Sequence, residues 1–148
     1  VDEVVVVDLD GTLADNRHRL SHIENEDKQW GKYLSKVQKD KPVQEVISKI
    51  NDLSETHKIV ILTMRSDQTE EDTLKWLRKN DVSFDELIML PEGHWNVKDC
   101  EFKERKLKNM ENPVIAFDDK ERNCQMYKEK GLETYLVELK AEQKIKKY

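Results

Sequence analysis

The chain has 148 residues, enough for one domain whose sheet is covered on both faces and too few for two independent cores. Apolar residues make up 36% and charged residues 39%, which suits helices with one buried stripe; short apolar runs that recur at regular intervals argue against disorder, and four consecutive valines are too few for a membrane span. The formal net charge of −5 excludes a general nucleic-acid coat protein, whose affinity comes from neutralising phosphates, but leaves room for a local basic patch. No charged-then-apolar leader precedes the first apolar run, and Cys100 and Cys124 stand apart without metal-ligand spacing. The expectation is a cytoplasmic protein with reduced, structural cysteines.

In chain order, the valine run at 4–7 reads as a strand buried on both faces. It ends in DLDGT, with Asp8 and Asp10 two apart and Gly11 where the chain turns. The polar stretch from about 14 to 41 contains DKQWGKYLSKVQK. This reads either as a surface helix packed through Trp30, Tyr33, Leu34 and Val37 or as a small cap over a site. PVQEVISKINDL then spaces Val43, Val46, Ile47, Ile50 and Leu53 at helical intervals. KIVILT (58–63) is a second strand, TEEDTLKWLRKN a helix opened by a capping box of Thr69 and Asp72, and ELIML (86–90) a third strand. PVIAF (113–117) is the fourth, DKERNCQMYKEKG a helix stopped by Gly131, and TYLVE (134–138) the fifth. Such alternation specifies an α/β fold, a doubly wound five-stranded parallel sheet of order 3-2-1-4-5 with the first strand central. The whole of 1–148 is expected to be a single domain, with a small helical cap at about 14–41.

Ligands of a doubly wound sheet bind beyond the carboxyl ends of its strands, where strand order reverses. Asp8 and Asp10 follow the first strand, Thr63 and Arg65 the second, and Asp118 and Asp119 the fourth. Lys103, on the helix before the fourth strand, reaches the same mouth. Several carboxylates crowded there raise one another's pKa, and a hard divalent cation relieves the repulsion. Mg²⁺ beside a substrate phosphate fits that chemistry.

DLDGT after the first strand, ILT ending the second, Lys103 downstream and FDD ending the fourth resemble, in order and spacing, the four motifs of the haloacid dehalogenase-like (HAD) superfamily of aspartate-dependent phosphotransferases. The resemblance implies a HAD-like Rossmannoid fold with Asp8 as the nucleophile that forms an aspartyl phosphate and Asp10 as the acid/base. It also implies that Thr63 and Lys103 bind the phosphate, and that Asp8, Asp10, Asp118 and Asp119 form the Mg²⁺ site. Cations at that mouth offset the repulsion between a carboxylate and a phosphate dianion, and covalent catalysis splits one hard step into two easier ones.

Over almost the whole chain, DLDGTLADNRHR, VILTMR, DCEFKE and AFDDKERNCQMYKEKGLETYLV are more narrowly similar to the 3′-phosphatase domain of bacteriophage-type polynucleotide kinase/phosphatase. This implies substrate-phosphate arginines at Arg65 and at Arg19 or its neighbour Arg17, and a substrate-site acid at Asp99. The implied activity is a polynucleotide or nucleotide 3′-phosphatase. The alternatives are a HAD phosphatase of free nucleotides or another small phosphate ester, and a non-enzymatic phospho-acceptor signalling domain. No G-x-x-x-x-G-K-[ST] loop is present, so a kinase or ligase module would lie outside this sequence. RHRLSH (17–22) and KERKLK (103–108) are basic islands, and Trp30, Tyr33 or Trp95 offers a ring on which a base can stack.

Overall fold

The computed structural model describes residues 2–20, 36–94 and 96–148. His22, Trp30, Tyr33, Leu34 and Trp95, expected near the mouth or in the cap, lie outside the described residues. The valine run forms β1 (Val4–Val7), with all four side chains buried. Their parity divides them between two cores, which is why the run carries no polar alternation. Val5 and Val7 pack with Val46, Ile47 and Ile50 of α2 (Gln44–Leu53) and Trp76 and Leu77 of α3 (Glu70–Lys79). Val4 and Val6 pack instead with Phe102 and Leu107 of α4 (Asp99–Lys108) and Met126 and Tyr127 of α5 (Glu121–Glu129). Each fully buried valine contributes about 1.5–3 kcal/mol, so β1 anchors both layers at once.

The sheet runs β5 (Glu86–Leu90), β4 (Lys58–Ser66), β1, β6 (Pro113–Asp118), β7 (Glu133–Val137) and β8 (Ile145–Lys147). The first five are parallel and stand in the expected order, with β1 central. The sixth strand was not expected; β8 pairs antiparallel with β7, joining Val137 to Ile145 and Tyr135 to Lys147. Its three residues, IKK, include one apolar side chain and two exposed lysines, so no buried run announces it. Val7 is level with Ile61 of β4 and with Phe117 of β6. The residues that follow these three strands therefore leave the sheet at one edge.

The inserted stretch begins at β2 (Ala14–Asp15) and returns at β3 (Lys41–Pro42), which pair antiparallel. Between them lie α1 (Arg17–Leu20) and a 3-10 turn, Val37–Lys39, whose Val37 is buried. The expected capping box at α3 is not formed. Thr69 closes a 3-10 turn, Asp67–Thr69, and its hydroxyl donates to the Ser66 carbonyl at 2.8 Å instead of capping the helix. Gly131 follows α5 with φ +90, as its stop signal requires. Among the described residues no helix is long and apolar enough to cross a membrane.

Candidate active site

The edge where β1, β4 and β6 end gathers the acids. Asp8 leaves β1, Asp118 ends β6 and Asp119 follows it, and these three bring carboxylate oxygens within 4.8 Å of one another. Lys103 reaches them from α4, the helix on which it was expected, just past its first turn. Its Nζ donates to Asp8 Oδ1 at 2.9 Å and to Asp118 Oδ2 at 2.8 Å, and lies 3.4 Å from Asp99 Oδ1. The Thr12 hydroxyl donates to the other Asp8 oxygen at 3.1 Å. Asp118 is further held by the Lys120 backbone N–H at 3.0 Å and the Asn123 amide at 3.2 Å.

Asp119 is placed differently. Its Oδ1 is buried and has no hydrogen-bond partner among the described residues. Gly11, at φ +83, lets the backbone pass directly under its carboxylate, where any Cβ would collide. Such an orphaned buried oxygen is costly unless something outside the protein meets it.

The electrostatics follow from this crowding. Burial pushes the Asp8 carboxyl well above the usual carboxylate range; the Lys103 ammonium pulls it partly back, and Asp118 and Asp119 add to the rise. Asp119 is pushed up to about 6, by burial first and also by Asp118, against the lowering effect of its hydrogen bond with Asp8. Burial alone would lower Lys103, but Asp8 and Asp118 outweigh it and hold the ammonium charged. Asp99 stays below the ordinary range: burial acts upward, and Lys103 and Lys120 more than offset it. Its second oxygen is ion-paired with Lys120 at 3.1 Å.

Asp10 belongs to a second network. Arg19 and Arg65 each place Nη2 2.6 Å from Asp10 Oδ1, and Arg65 Nε lies 3.3 Å from Oδ2. Both guanidinium groups are buried and both also bond Asp40: Arg19 through Nε and Nη2 at 2.8 Å, Arg65 through Nη2 at 3.2 Å. Burial raises the proton affinity of Asp10, but Arg65 and then Arg19 outweigh it and keep the carboxyl below its ordinary value. Arg65 is steadied by the Thr73 hydroxyl at 3.0 Å, and the Asp40 carbonyl accepts the Trp76 indole N–H at 2.8 Å. Thr63 is buried at the mouth; its oxygen accepts the Arg65 N–H at 3.0 Å, which leaves its own O–H hydrogen for a further acceptor.

The structure therefore brings Asp8, Asp118, Asp119, Lys103 and Asp99 into one group and Asp10, Arg19 and Arg65 into an adjoining one. Arg17 joins neither: it is exposed and paired with Asp15 at 2.7 Å. The Asp10 carboxylate is also outside the trio of acids, because two guanidinium groups claim it. Thr12, Asn123 and above all Asp40 were missed. Asp40 sits in QKDKP, where lysines on both sides make it read as a solvated charge, and only its position where the inserted stretch returns hinted at a role.

The fold and its acidic mouth define a haloacid dehalogenase-like domain. A haloacid dehalogenase-like hydrolase from Streptococcus pneumoniae superposes with a TM-score of 0.66 at 14% identity, over 93% of this chain and 85% of that one. A HAD family enzyme from Bacteroides thetaiotaomicron, solved with magnesium and inorganic phosphate, gives 0.60 at 13% identity over 97% and 98%. A chain of the Pnkp1/Rnl/Hen1 complex gives 0.74 at 22% identity over 93% of this chain and 46% of that one, so the present chain spans about half its length. No curated protein matches the chain. The chain belongs to the family of the polynucleotide kinase PNKP phosphatase domain, which matches residues 2–140.

Proposed function

We propose that the chain is a Mg²⁺-dependent phosphomonoesterase that works through an aspartyl phosphate on Asp8 and takes a phosphate at the 3′ end of a nucleic acid strand or nucleotide. One observation carries the chemistry: three converging carboxylates with one buried oxygen of Asp119 left unpartnered. Oxygen donors of that charge and number suit a hard divalent cation, and Asp8, Asp118 and Asp119 are the residues to hold it. When bound, the cation neutralises charge on the phosphate and on the attacking carboxylate.

The remaining roles fall to this chain's own side chains. Asp8 has to be ionised to attack, and Lys103 is the neighbour that lowers its proton affinity. Attack forms the bond from phosphorus to the Asp8 oxygen and breaks the ester bond, and the leaving oxygen takes up a proton from Asp10. Water then cleaves the aspartyl phosphate, and its proton passes to Asp10. Held ionised by two arginines, Asp10 suits that second step directly; those contacts must loosen before it can carry the proton of the first. Thr63 and Lys103 are assigned to the phosphate. Arg19 and Arg65, expected to bind substrate phosphate, are assigned instead to holding Asp10, and Asp99 to steadying Lys103 and Lys120.

The nucleic-acid substrate is supported by the family match and by the solved RNA repair complex that contains a similar chain. A separate kinase or ligase module is the proposed partner. The test is a panel of a 3′-phosphorylated oligonucleotide, a 5′-phosphorylated one, free 3′- and 5′-nucleotides and p-nitrophenyl phosphate, each with Mg²⁺ or EDTA. Preference for the 3′-phosphorylated strand, abolished by EDTA, is expected. Equal rates on free nucleotides would identify a small-ester phosphatase, and no hydrolysis of any ester would remove the enzyme reading.

A further inference from the structure

We propose that His18 is a positioning residue for the acid/base carboxylate of Asp10, acting through Asp40 and the two buried arginines; the kinetic part of this proposal rests on the phosphatase reading above. His18 extends from α1, and its Nε2 lies 2.6 Å from Asp40 Oδ1. Asp40 has 0% side-chain exposure, whereas His18 has 35%. Of this pair, the histidine is the member that meets solvent.

The route from His18 to Asp10 is short and continuous. Asp40 Oδ1 accepts from His18 and from Arg19 Nε, and Asp40 Oδ2 accepts from the Nη2 groups of Arg19 and Arg65. Those same two Nη2 groups are the ones that hold Asp10 Oδ1. Asp10 and Asp40 therefore share one pair of donor nitrogens, each with two N–H hydrogens. Whatever fixes Asp40 also fixes the two guanidinium groups that hold Asp10, and whatever loosens Asp40 loosens them.

Chemistry fixes which atom of the imidazole can act. An ionised carboxylate only accepts, so the proton in the short contact belongs to Nε2, and Nδ1 is the position that gains or loses one. A proton on Nδ1 turns a neutral hydrogen bond to Asp40 into a charge-assisted one. Imidazole is the side chain suited to change charge near neutral pH, so the hold on Asp10 is tied to the charge that His18 carries. Among the described residues, two arginines and two aspartates make up this network, and His18 adds a further group that can carry charge. Among the described residues, the charged groups facing it are Asp40 ahead of β3, Asp15 of β2, and Arg17 and Arg19 of its own helix.

The test compares the full chain with His18→Gln, which retains a donor at the position of Nε2 but cannot titrate, and with His18→Ala, which retains neither. Turnover of p-nitrophenyl phosphate with Mg²⁺ is followed between about pH 5 and 8. His18→Ala should lower kcat by about tenfold to a hundredfold with KM little changed, the scale of one hydrogen bond to a charged group. His18→Gln should recover most of that kcat yet lose one ionisation from the pH profile. An Ala variant with wild-type kcat at every pH, or a Gln variant with an unaltered profile, overturns the proposal. A second measurement needs no turnover: nitrogen NMR of the metal-free wild type should show the neutral imidazole proton on Nε2, and Asp40→Asn should change the His18 ring-nitrogen signals. A proton on Nδ1, or ring-nitrogen signals indifferent to Asp40, overturns the contact itself. A wild type that cleaves no ester removes the phosphatase reading instead, while the NMR result still decides whether His18 and Asp40 are joined.

Discussion

Replacing Lys103 by methionine removes one charge from the centre of the site and little else, since the apolar stem is kept. In the native chain the ammonium is 1% exposed and lies 2.9 Å from Asp8 Oδ1 and 2.8 Å from Asp118 Oδ2. Removing one partner of a buried ion pair costs about 3–5 kcal/mol, and the upper figure applies only if both carboxylates must stay ionised. They need not: burial already pushes the Asp8 carboxyl well up, and Lys103 is the chief influence holding it down. The variant therefore takes a proton at Asp8, and the loss near neutral pH settles at about 3 kcal/mol. A carboxyl whose pKa rises on folding contributes stability that is complete below its unfolded value and is lost as pH climbs through its folded value. With Asp8 raised further in the variant, its deficit grows upward from about pH 4. Urea unfolding in EDTA at about pH 5 and pH 7.5, with the same slope assumed for both proteins, measures the gap. The gap should be wider at the higher pH and should narrow when Mg²⁺ replaces EDTA. A variant as stable as the wild type at both values, or a gap that closes as pH rises, would refute the reasoning.

Three other outcomes follow from the geometry. Because Asp119 is pushed up to about 6, protons compete with Mg²⁺ there; calorimetric affinity should rise with pH through that value, and a flat dependence would contradict the assignment. Gly11→Ala places a Cβ against the Asp119 carboxylate at φ +83. Thermal melts should show a loss of about 1–3 kcal/mol, and Mg²⁺ should bind more weakly. Asp10→Asn should reduce kcat by about 10²–10⁴ while leaving Mg²⁺ affinity within about threefold, since its carboxylate is held by arginines outside the acidic trio; a parallel loss of Mg²⁺ binding would put Asp10 among the ligands.

The parts of the fold most legible in the sequence were those where burial is two-sided. Val4–Val7 and the apolar runs of β4 and β6 could be read because each lies inside the sheet and needs apolar residues on both faces, and β5, an edge strand, could be read because its run ELIML is apolar. β8 could not, because an edge strand of three residues is held by backbone pairing to β7, which leaves no mark on residue type. The same distinction runs through the site. Asp8, Asp118 and Asp119 were legible because they close buried strands, and Lys103 because its spacing matched the resemblance. Asp40 was hidden because its burial depends on two arginines and a tryptophan from other elements, Arg19, Arg65 and Trp76, none adjacent in sequence. The arginines were found as residues, Arg65 at a strand end and Arg19 through the resemblance; the structure adds that their Nη2 groups turn onto Asp10.

The central claim is that phosphate passes through Asp8. Wild type and Asp10→Asn, mixed with Mg²⁺ and a 3′-phosphorylated oligonucleotide and quenched in acid within a few turnovers, can be digested and the phosphate mapped by mass spectrometry. The account predicts an aspartyl phosphate on Asp8 that decays in the wild type and accumulates in Asp10→Asn, with neither label nor turnover in Asp8→Asn. Full hydrolysis by Asp8→Asn, or a phosphate mapped to any other residue, would contradict it.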